Sequence, residues 1–389
     1  METSKTLNIA YLSDSFIPST RANTVHVIKM CAAFAESGVE TTLYCNYEKD
    51  FKVEDIFKKY NVRVKYNLIA EKAKITGKLK MLEYARKKAK DVERQKPDVC
   101  YGRSLLALFL LRNRLPFIYE SHIRPNRKLF LFLEKAILRN KNRVKLVVIS
   151  ENLKQEYLKL FSFLHDEDIV VLHDGADEVL SKPDHEKVPI ELRKAHEKGV
   201  TIGYIGHLYP GKCMETLIPV AKTLPNRYFH IVGGTEEWIS HWKDECKKER
   251  IDNIVFYGYI DNAAVNACYD NIDVVVLPFS NGIYFNKDKK DDIGKWISPL
   301  KLFEAMANGK AIISSDLPSI EEVIDNDYDG LLIPAADIEG WKEAIEFLCT
   351  NVEKRSILGI NAKAKLKSQY TWKHRAETII ELFKGRGNQ

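Results

Sequence analysis

Residues 201–212, TIGYIGHLYPGK, are the stretch of the chain that decides the fold. An apolar run of strand character, residues 201–205, leads into a glycine-containing turn, and a helical pattern begins near Met214. Glycines in such a turn let backbone N–H groups approach a phosphate, the following helix N-terminus adds a positive dipole, and Lys212 adds a full charge. The stretch therefore predicts a strand, turn and helix unit that binds a diphosphate, with a plain tight turn as the alternative.

The same alternation of apolar strands and helical patterns continues on both sides of this stretch. Further strands are predicted at residues 7–12, 41–45, 62–66, 98–101, 117–119 and 144–149, and then at 228–232, 253–257, 273–277, 311–314 and 331–333. Alternation of this kind is typical of parallel sheets covered by helices on both faces. We therefore expect an α/β protein with two doubly wound, Rossmann-like domains facing across a cleft, because ligands bind at the carboxyl ends of such strands.

A polar, charged segment at residues 183–199 separates the two series of strands. It places the domains at residues 1–180 and 181–370, with residues 371–389 forming a terminal helix that crosses back to the first domain.

A second informative segment, residues 298–310, reads SPLKLFEAMANGK. Ser298 suits the N-cap of a helix, Pro299 suits its first turn and Gly309 suits its end. Glu304 lies beside the apolar face of that helix, and a carboxylate in such a place has a partner. A ribose diol is one candidate partner, because it offers two donors; a structural salt bridge is the other.

Composition and charge exclude several classes of protein. No apolar run approaches the roughly 18 residues of a membrane-spanning helix, and the N-terminus carries no signal-peptide pattern, so we expect a soluble, cytoplasmic protein. The seven cysteines are scattered without a C-x-x-C pair, which argues against a disulfide framework or a zinc site.

Charge is divided unevenly along the chain. Residues 1–150 carry 30 Lys and Arg against 15 Asp and Glu, whereas the rest carries 30 against 39. Cations and large apolar residues are interleaved between Arg124 and Lys145, as in a helix that touches an anionic membrane surface or a lipid diphosphate; a solvated basic face is the alternative. No nucleic-acid-binding motif accompanies the charge, so nucleic acid is not expected as a partner.

Taken in order, the motifs resemble those of glycosyltransferase family 4, the retaining nucleotide-sugar glycosyltransferases with the GT-B fold. The resemblance covers most of the chain, and its segments are GYIGHLYPGK (203–212), FHIVGG (229–234), DVVVLPF (273–279), SPLKLFEAMANGKAIISSD (298–316) and LPSIEEVI (317–324), with FIYESH (117–122) and VVIS (147–150) in the first half. It implies transfer of a hexose from a nucleoside-diphosphate sugar of UDP or GDP type to a saccharide or lipid-linked saccharide, in surface polysaccharide or lipopolysaccharide biosynthesis. It also implies catalysis without a metal or other cofactor.

The resemblance assigns roles to residues that match the family motifs. Lys212 would hold the donor diphosphate and Glu304 the ribose, with His122 beside the transferred sugar as the third catalytic residue. The other candidates for donor binding are Gly206, His207, Ser298, Leu300 and Lys301. On the acceptor side the candidates are Arg21, Asn23 and Glu120.

Several departures from the family pattern keep two alternatives open. Trp296 stands where the first glutamate of the E-x7-E motif is expected, and His207 replaces the usual arginine. A non-catalytic nucleotide- or glycan-binding member and a GT-B sugar-nucleotide epimerase are therefore retained as alternatives. A metal site at the adjacent carboxylates Asp291 and Asp292 is not favoured, because lysines are interspersed with them. A nicotinamide dehydrogenase is argued against by the absence of glycine from residues 13–24.

Overall fold

The computed structural model describes residues 6–19, 21–75, 77–180, 184–280, 282–283 and 294–385. The chain folds into two compact units, Met1–His173 with Trp372–Gln389, and Asp174–Thr371. The first boundary thus precedes the one expected from sequence at residue 180. Asp174 and Ala176 belong to the second unit because their backbone N–H groups donate to Ser298 Oγ (2.8 Å) and to the Tyr370 carbonyl (3.1 Å).

The first unit is built on a seven-stranded parallel sheet of order β3-β2-β1-β4-β5-β6-β7. Its strands are β1 (Asn8–Phe16), β2 (Glu40–Asn46), β3 (Asn67–Glu71), β4 (Val99–Gly102), β5 (Phe117–Ser121), β6 (Arg143–Val148) and β7 (Ile169–Val171). Its helices before the crossing are α1 (Ala22–Glu36), α2 (Val53–Lys59), α3 (Lys80–Gln95), α4 (Leu105–Leu111), α5 (Lys128–Leu138) and α6 (Glu151–Leu160). Helix α4 packs between α3 and α5.

The second unit holds a six-stranded parallel sheet of order β10-β9-β8-β11-β12-β13. Its strands are β8 (Ile202–Ile205), β9 (Phe229–Val232), β10 (Ile254–Gly258), β11 (Val274–Leu277), β12 (Ala311–Ser315) and β13 (Leu331–Ile333). Its helices are α7 (Ile190–Lys198), α8 (Met214–Thr223), α9 (Glu236–Lys248), α10 (Val265–Asp270), α11 (Leu300–Ala307), α12 (Pro318–Glu321), α13 (Ile338–Thr350) and α14 (Val352–Gln369).

The last helix, α15 (Trp372–Lys384), packs on α1 in the first unit. Two doubly wound, Rossmann-like α/β units are therefore present, as the sequence predicts. Within the described residues no helix combines the length and apolar character needed to cross a bilayer.

The strands arise where the chain is apolar on both faces, as expected of buried parallel sheets. In β11 and β12 every residue is buried. The predicted strand at residues 62–66 is wrong: Val64 is exposed, and the strand that pairs with β2 is the next segment, Asn67–Glu71. The helix starts follow local capping chemistry in several places, for example at Ser150, whose Oγ accepts from Leu153 N at the start of α6.

Candidate functional site

The loop after β8 is held tightly against the carboxyl edge of the second sheet. Gly206 N donates to the Val232 carbonyl at 2.9 Å, which continues the pairing with β9 by one residue. Gly211 has φ +85°, and a Cβ there would lie 2.3 Å from the Gly282 carbonyl oxygen. Close backbone approach therefore requires glycine at position 211, whereas a Cβ at Gly206 would meet the Tyr204 hydroxyl at 2.5 Å. The loop leads Lys212 to the start of α8.

Lys212 lies between two aromatic rings. Its Nζ is 5.4 Å from the ring centre of Tyr209 and 5.1 Å from that of Phe279, which follows β11. Among the residues that the structure describes, no carboxylate lies within 4.0 Å of this ammonium group. Burial lowers the pKa of Lys212 to about 7. A cation that has no counter-ion among the described residues can bind an anion at this carboxyl edge of the sheet.

His207 neighbours this lysine through Tyr209. The two rings are stacked with centres 5.9 Å apart, and the His207 carbonyl accepts a hydrogen bond from Tyr204 Oη at 2.8 Å. These contacts connect His207 to Tyr209 and Tyr204 and so stabilise the turn that leads to Lys212.

Helix α11 begins at the same edge, because it connects β11 to β12 and both strands run parallel to β8 in the same sheet. Glu304 Oε2 lies 2.6 Å from Lys301 Nζ, one turn earlier on the helix. The Lys301 carbonyl accepts from Tyr269 Oη at 3.2 Å, and burial together with the Glu304 carboxylate raises the pKa of Tyr269. The salt bridge that the sequence left open as the alternative partner of Glu304 is therefore present.

The start of α11 differs in detail from the sequence prediction. The N-cap position is Pro299, and Leu300 is the first helical residue, buried. Ser298 is not the cap, because its Oγ accepts from Asp174 N instead. The end of the helix agrees with the pattern, since Gly309 has φ +63°.

Trp296 lies in a short 3-10 helix, Gly294–Trp296, just before α11. Its indole is half-buried, and its Nε1–H has no acceptor among the described residues. Asp291 and Asp292 lie outside the described residues.

In the first unit, Glu120 is the centre of a buried charged cluster at the carboxyl end of β5. Its Oε1 lies 3.0 Å from His26 Nε2 and 3.2 Å from Arg375 Nη2, and it also contacts His122 Nε2. Its Oε2 accepts from Tyr101 Oη. Glu120 is 1% exposed, and every named partner is a donor or a cation.

The electrostatics of this cluster favour the charged carboxylate. Burial by itself would raise the pKa of Glu120, but Arg375, His26 and His122 together hold it well below its usual range. Arg375 is oriented further by the carbonyls of His173 (3.0 Å) and Leu172 (3.3 Å). Glu120 therefore orients the ring of His122, whose side chain is 12% exposed.

The structure brings together Glu120 and His122, and it adds His26 and Arg375, which sequence reasoning missed. His26 lies on α1 and Arg375 on α15, 255 residues from Glu120. No local pattern signals such a pairing, because each residue looks like an ordinary polar position of an amphipathic helix.

Arg21 and Asn23 lie at the start of α1. Arg21 is the exposed N-cap residue, and its backbone N–H donates to Ser19 Oγ at 3.2 Å. In the part of the chain that the structure describes, the Arg21 side chain forms no ion pair with Glu120. Asn23 is half-buried, and its Oδ1 has no donor among the described residues. The two residues are thus close in sequence to His26, but no described contact joins them to the Glu120 cluster.

Comparison with known proteins gives two family matches, one to each unit. Residues 24–179 match the family model described as Glycosyltransferase Family 4, and residues 184–365 match the model described as Glycosyl transferases group 1.

Individual relatives are distant. The chain is 26% identical over 277 residues to the uncharacterized glycosyltransferase MJ1069 of Methanocaldococcus jannaschii, and the matched region covers 70% of this chain and 63% of that protein. It is 25% identical over 195 residues to the phosphatidyl-myo-inositol mannosyltransferase of Mycolicibacterium smegmatis, covering 48% and 45%. The chain thus spans less than two thirds of the length of these relatives.

Among solved structures, Anabaena Alr3699/HepE in complex with UDP and glucose superimposes with a TM-score of 0.72 at 15% identity, covering 97% of this chain and 100% of that one. This likeness shows the fold.

Proposed function

This chain belongs to glycosyltransferase family 4 and has the GT-B fold, and from that premise we propose that it transfers a hexose, with retention, from a nucleoside-diphosphate sugar to a saccharide or lipid-linked saccharide. The donor is of UDP or GDP type, and the product enters a surface polysaccharide or lipopolysaccharide. Glycosyl transfer, the donor, the acceptor, the stereochemistry and the pathway are the content of the proposal.

Lys212 is the observation that carries the proposal. It is a cation without a carboxylate partner among the described residues, it is flanked by Tyr209 and Phe279, and its pKa is lowered by burial to about 7. A diphosphate at this edge would restore the charged form of the lysine and supply a counter-ion. Lys88 in the first unit shows the contrast, because this buried lysine pairs with the Asp14 carboxylate at 2.8 Å.

The chemistry that follows is electrostatic. When the bond between the sugar and the diphosphate breaks, negative charge builds up on the leaving phosphate. Lys212 and the N-terminus of α11 lie at the edge where that charge would develop, and His207 adds to them when protonated. No metal is needed for this stabilisation in the proposal, and loss of one such charge costs on the order of 10²-fold in rate.

On the acceptor side, the proposal gives His122 the place beside the transferred sugar and Glu120 the task of orienting it. Glu120 is already saturated by Arg375, His26, His122 and Tyr101, so it positions and does not exchange protons. In the free protein Glu304 is held by Lys301, and the ribose of the donor would compete for the same carboxylate.

The test is thermal unfolding of the wild type with UDP, GDP, ADP and CMP. A nucleotide at about 100 times its dissociation constant stabilises the fold by about 2.7 kcal/mol. We expect one nucleoside diphosphate to stabilise the wild type, and Lys212→Ala and Glu304→Ala to lose most of that shift. Lys222→Ala is the matched control, because Lys222 lies in the last turn of the same helix α8 and pairs with Glu249 on the surface.

Turnover assays separate the alternatives that Trp296 keeps open. Nucleotide binding without transfer and without slow donor hydrolysis would favour a non-catalytic binding protein, whereas conversion of the donor sugar without any acceptor would favour an epimerase. Retention is read from the anomeric configuration of the product by NMR. Equal nucleotide shifts in the wild type and Lys212→Ala would overturn the phosphate assignment.

A further inference from the structure

Helix α5 exposes large apolar side chains near its N-terminus. Leu129 is 64% exposed, Phe130 38% and Phe132 63%, and Ile123 in the preceding loop is 55% exposed. Leu133 on the same helix is buried, so α5 is anchored to the sheet by one face only. Apolar groups exposed together in this way are unusual on the surface of a monomeric protein.

Cations surround this apolar face. Arg127, Lys128 and Lys135 are exposed, and no ion pair involves them within the described part of the chain. Two other cations of the basic segment are used internally, because Arg143 pairs with Asp168 and Lys145 donates to the Glu167 carbonyl. The exposed face of α5 therefore combines positive charge with aromatic and aliphatic surface.

A second patch of the same character lies at the start of α3. Ile75 is 44% exposed, Leu79 63% and Met81 36%, next to the exposed Lys74. Helices α3 and α5 flank α4 on one face of the first sheet, so at packing distances of 8–10 Å between axes their starts are roughly 20 Å apart.

Both patches lie at the carboxyl edge of the first sheet. Helix α3 follows β3, and helix α5 follows β5, in a sheet whose strands are all parallel. Glu120 and His122 mark the same edge, at the end of β5. A surface held by the two patches would therefore present its molecules beside His122.

We propose that the starts of α3 and α5 dock the protein on an anionic lipid bilayer, with Leu129, Phe132 and Leu79 entering the interface and the flanking lysines and arginines contacting lipid headgroups. This patch pair is the docking surface. The proposal deepens the proposed function, on which it rests for the lipid-linked acceptor, and it makes the protein a peripheral membrane enzyme of the inner leaflet.

Charge complementarity selects the bilayer as the occupant. Residues 1–150 carry twice as many cations as carboxylates, and the exposed cations are spread over two helices instead of forming one pocket. A planar anionic surface contacts both patches at once, and aromatic and aliphatic side chains beside cations are the composition of helices that lie in the headgroup region.

Co-sedimentation of the full-length protein with phosphatidylcholine vesicles, with and without phosphatidylglycerol, tests the proposal. We expect binding that requires phosphatidylglycerol and weakens with salt. Leu129→Glu combined with Phe132→Glu should weaken binding more than tenfold. Arg127→Gln combined with Lys128→Gln should weaken it about 25-fold, at about fivefold for each cation near an anionic surface.

The matched control combines Ile357→Glu with Ile360→Glu on α14 of the second unit, where these side chains are 44% and 63% exposed. This variant should bind like the wild type. The docking surface would be overturned if the α5 variants bound vesicles as well as the wild type, or if the wild type did not bind vesicles. It would also be overturned if the wild type formed a dimer in solution and the α5 variants lost dimerisation but not vesicle binding. The nucleotide shift of every variant is measured in parallel, so a failed donor site and a failed docking surface give different results.

Discussion

Lys212 in the second unit and Glu120 in the first are both charged groups at the carboxyl edge of a parallel sheet, yet their surroundings are opposite. Glu120 is buried, and Lys212 is half-buried. Glu120 is contacted by Arg375, His26, His122 and Tyr101, and its pKa is held well below its usual range. Lys212 has aromatic neighbours and no carboxylate partner among the described residues, and burial lowers its pKa to about 7.

The difference distinguishes a charge that is neutralised within the protein from a charge that can bind a ligand. A buried ion is stable when its own fold supplies counter-charges and hydrogen bonds, and its charged state is then favoured. For an ion that is partly removed from water without such partners, the neutral form is favoured until something else supplies the counter-charge. Glu120 is therefore interpreted as a positioning group and Lys212 as a binding group, and the following experiments test that distinction.

Removal of Arg375 should have the largest effect on stability. Arg375→Met leaves the Glu120 carboxylate buried without its strongest counter-charge, and breaking such a pair costs about 3–5 kcal/mol. Denaturant unfolding measures the change. Lys373→Met, an exposed lysine of the same helix α15, is the control and should change the free energy of unfolding by less than about 0.5 kcal/mol. Equal stability of the two variants would mean that the Glu120 carboxylate does not depend on Arg375 as its counter-charge.

A carboxyl group that pairs with no cation among the described residues sharpens the comparison. Glu134 on α5 is buried and accepts from Tyr119 Oη (2.6 Å) and Tyr157 Oη (3.1 Å), and burial raises its pKa to about 7. Because the folded state binds this proton more tightly than the unfolded chain, stability falls as pH rises from about 4.5 to about 7. The contribution of Glu134 to that fall is about 3 kcal/mol.

We expect Glu134→Gln to remove this fall, so that its unfolding free energy varies less with pH than that of the wild type between pH 5 and 8. Urea titrations at several pH values measure the difference. The exposed Glu377→Gln is the control, and it should keep the wild-type dependence. A wild type and Glu134→Gln variant with parallel pH profiles would show that Glu134 is ionised throughout.

Proton uptake on nucleotide binding tests the state of Lys212 directly. With a pKa of about 7 in the free protein, Lys212 must gain a proton when a diphosphate binds above that pH. Affinity should therefore fall by up to about tenfold per pH unit above 7 in the wild type, and the fall should be smaller in Lys212→Arg, because arginine stays protonated. Calorimetry in two buffers of different ionisation enthalpy measures the protons taken up. An uptake of zero at pH 8.5 would contradict the lowered pKa.

The smallest effect is expected at Lys301. Its pair with Glu304 is an i,i+3 contact between partly exposed side chains, so Lys301→Gln should change the free energy of unfolding by less than about 1 kcal/mol. Thermal unfolding without ligand checks this. A loss larger than about 2 kcal/mol would place Lys301 among the structural charges, with Arg375.

Much of the fold was predictable because its signals are local. Apolar runs such as residues 273–277 and 331–333 nearly coincide with β11 and β13, and Gly309 ends its helix with the positive φ that its position suggests. Failures occurred where a local pattern had two readings. Residues 62–66 alternate like a strand, but pairing with β2 selected the next five residues. Ser298 suits a cap, but its hydroxyl is used by Asp174, 124 residues away.

For the site, the sequence by itself determined the residue types and their order: a glycine turn ending in Lys212, a helix carrying Glu304, and a strand end carrying Glu120 and His122. Only the tertiary structure decided which of those charges are compensated. Arg375 reaches Glu120 across 255 residues of chain, whereas Lys212 lies over the rings of Tyr209 and Phe279 and pairs with no carboxylate among the described residues. The physical reason is that the groups packed against a charge determine the free energy of its ionised form. When those groups are distant in the chain, the sequence around the charge contains no periodicity or motif that indicates them.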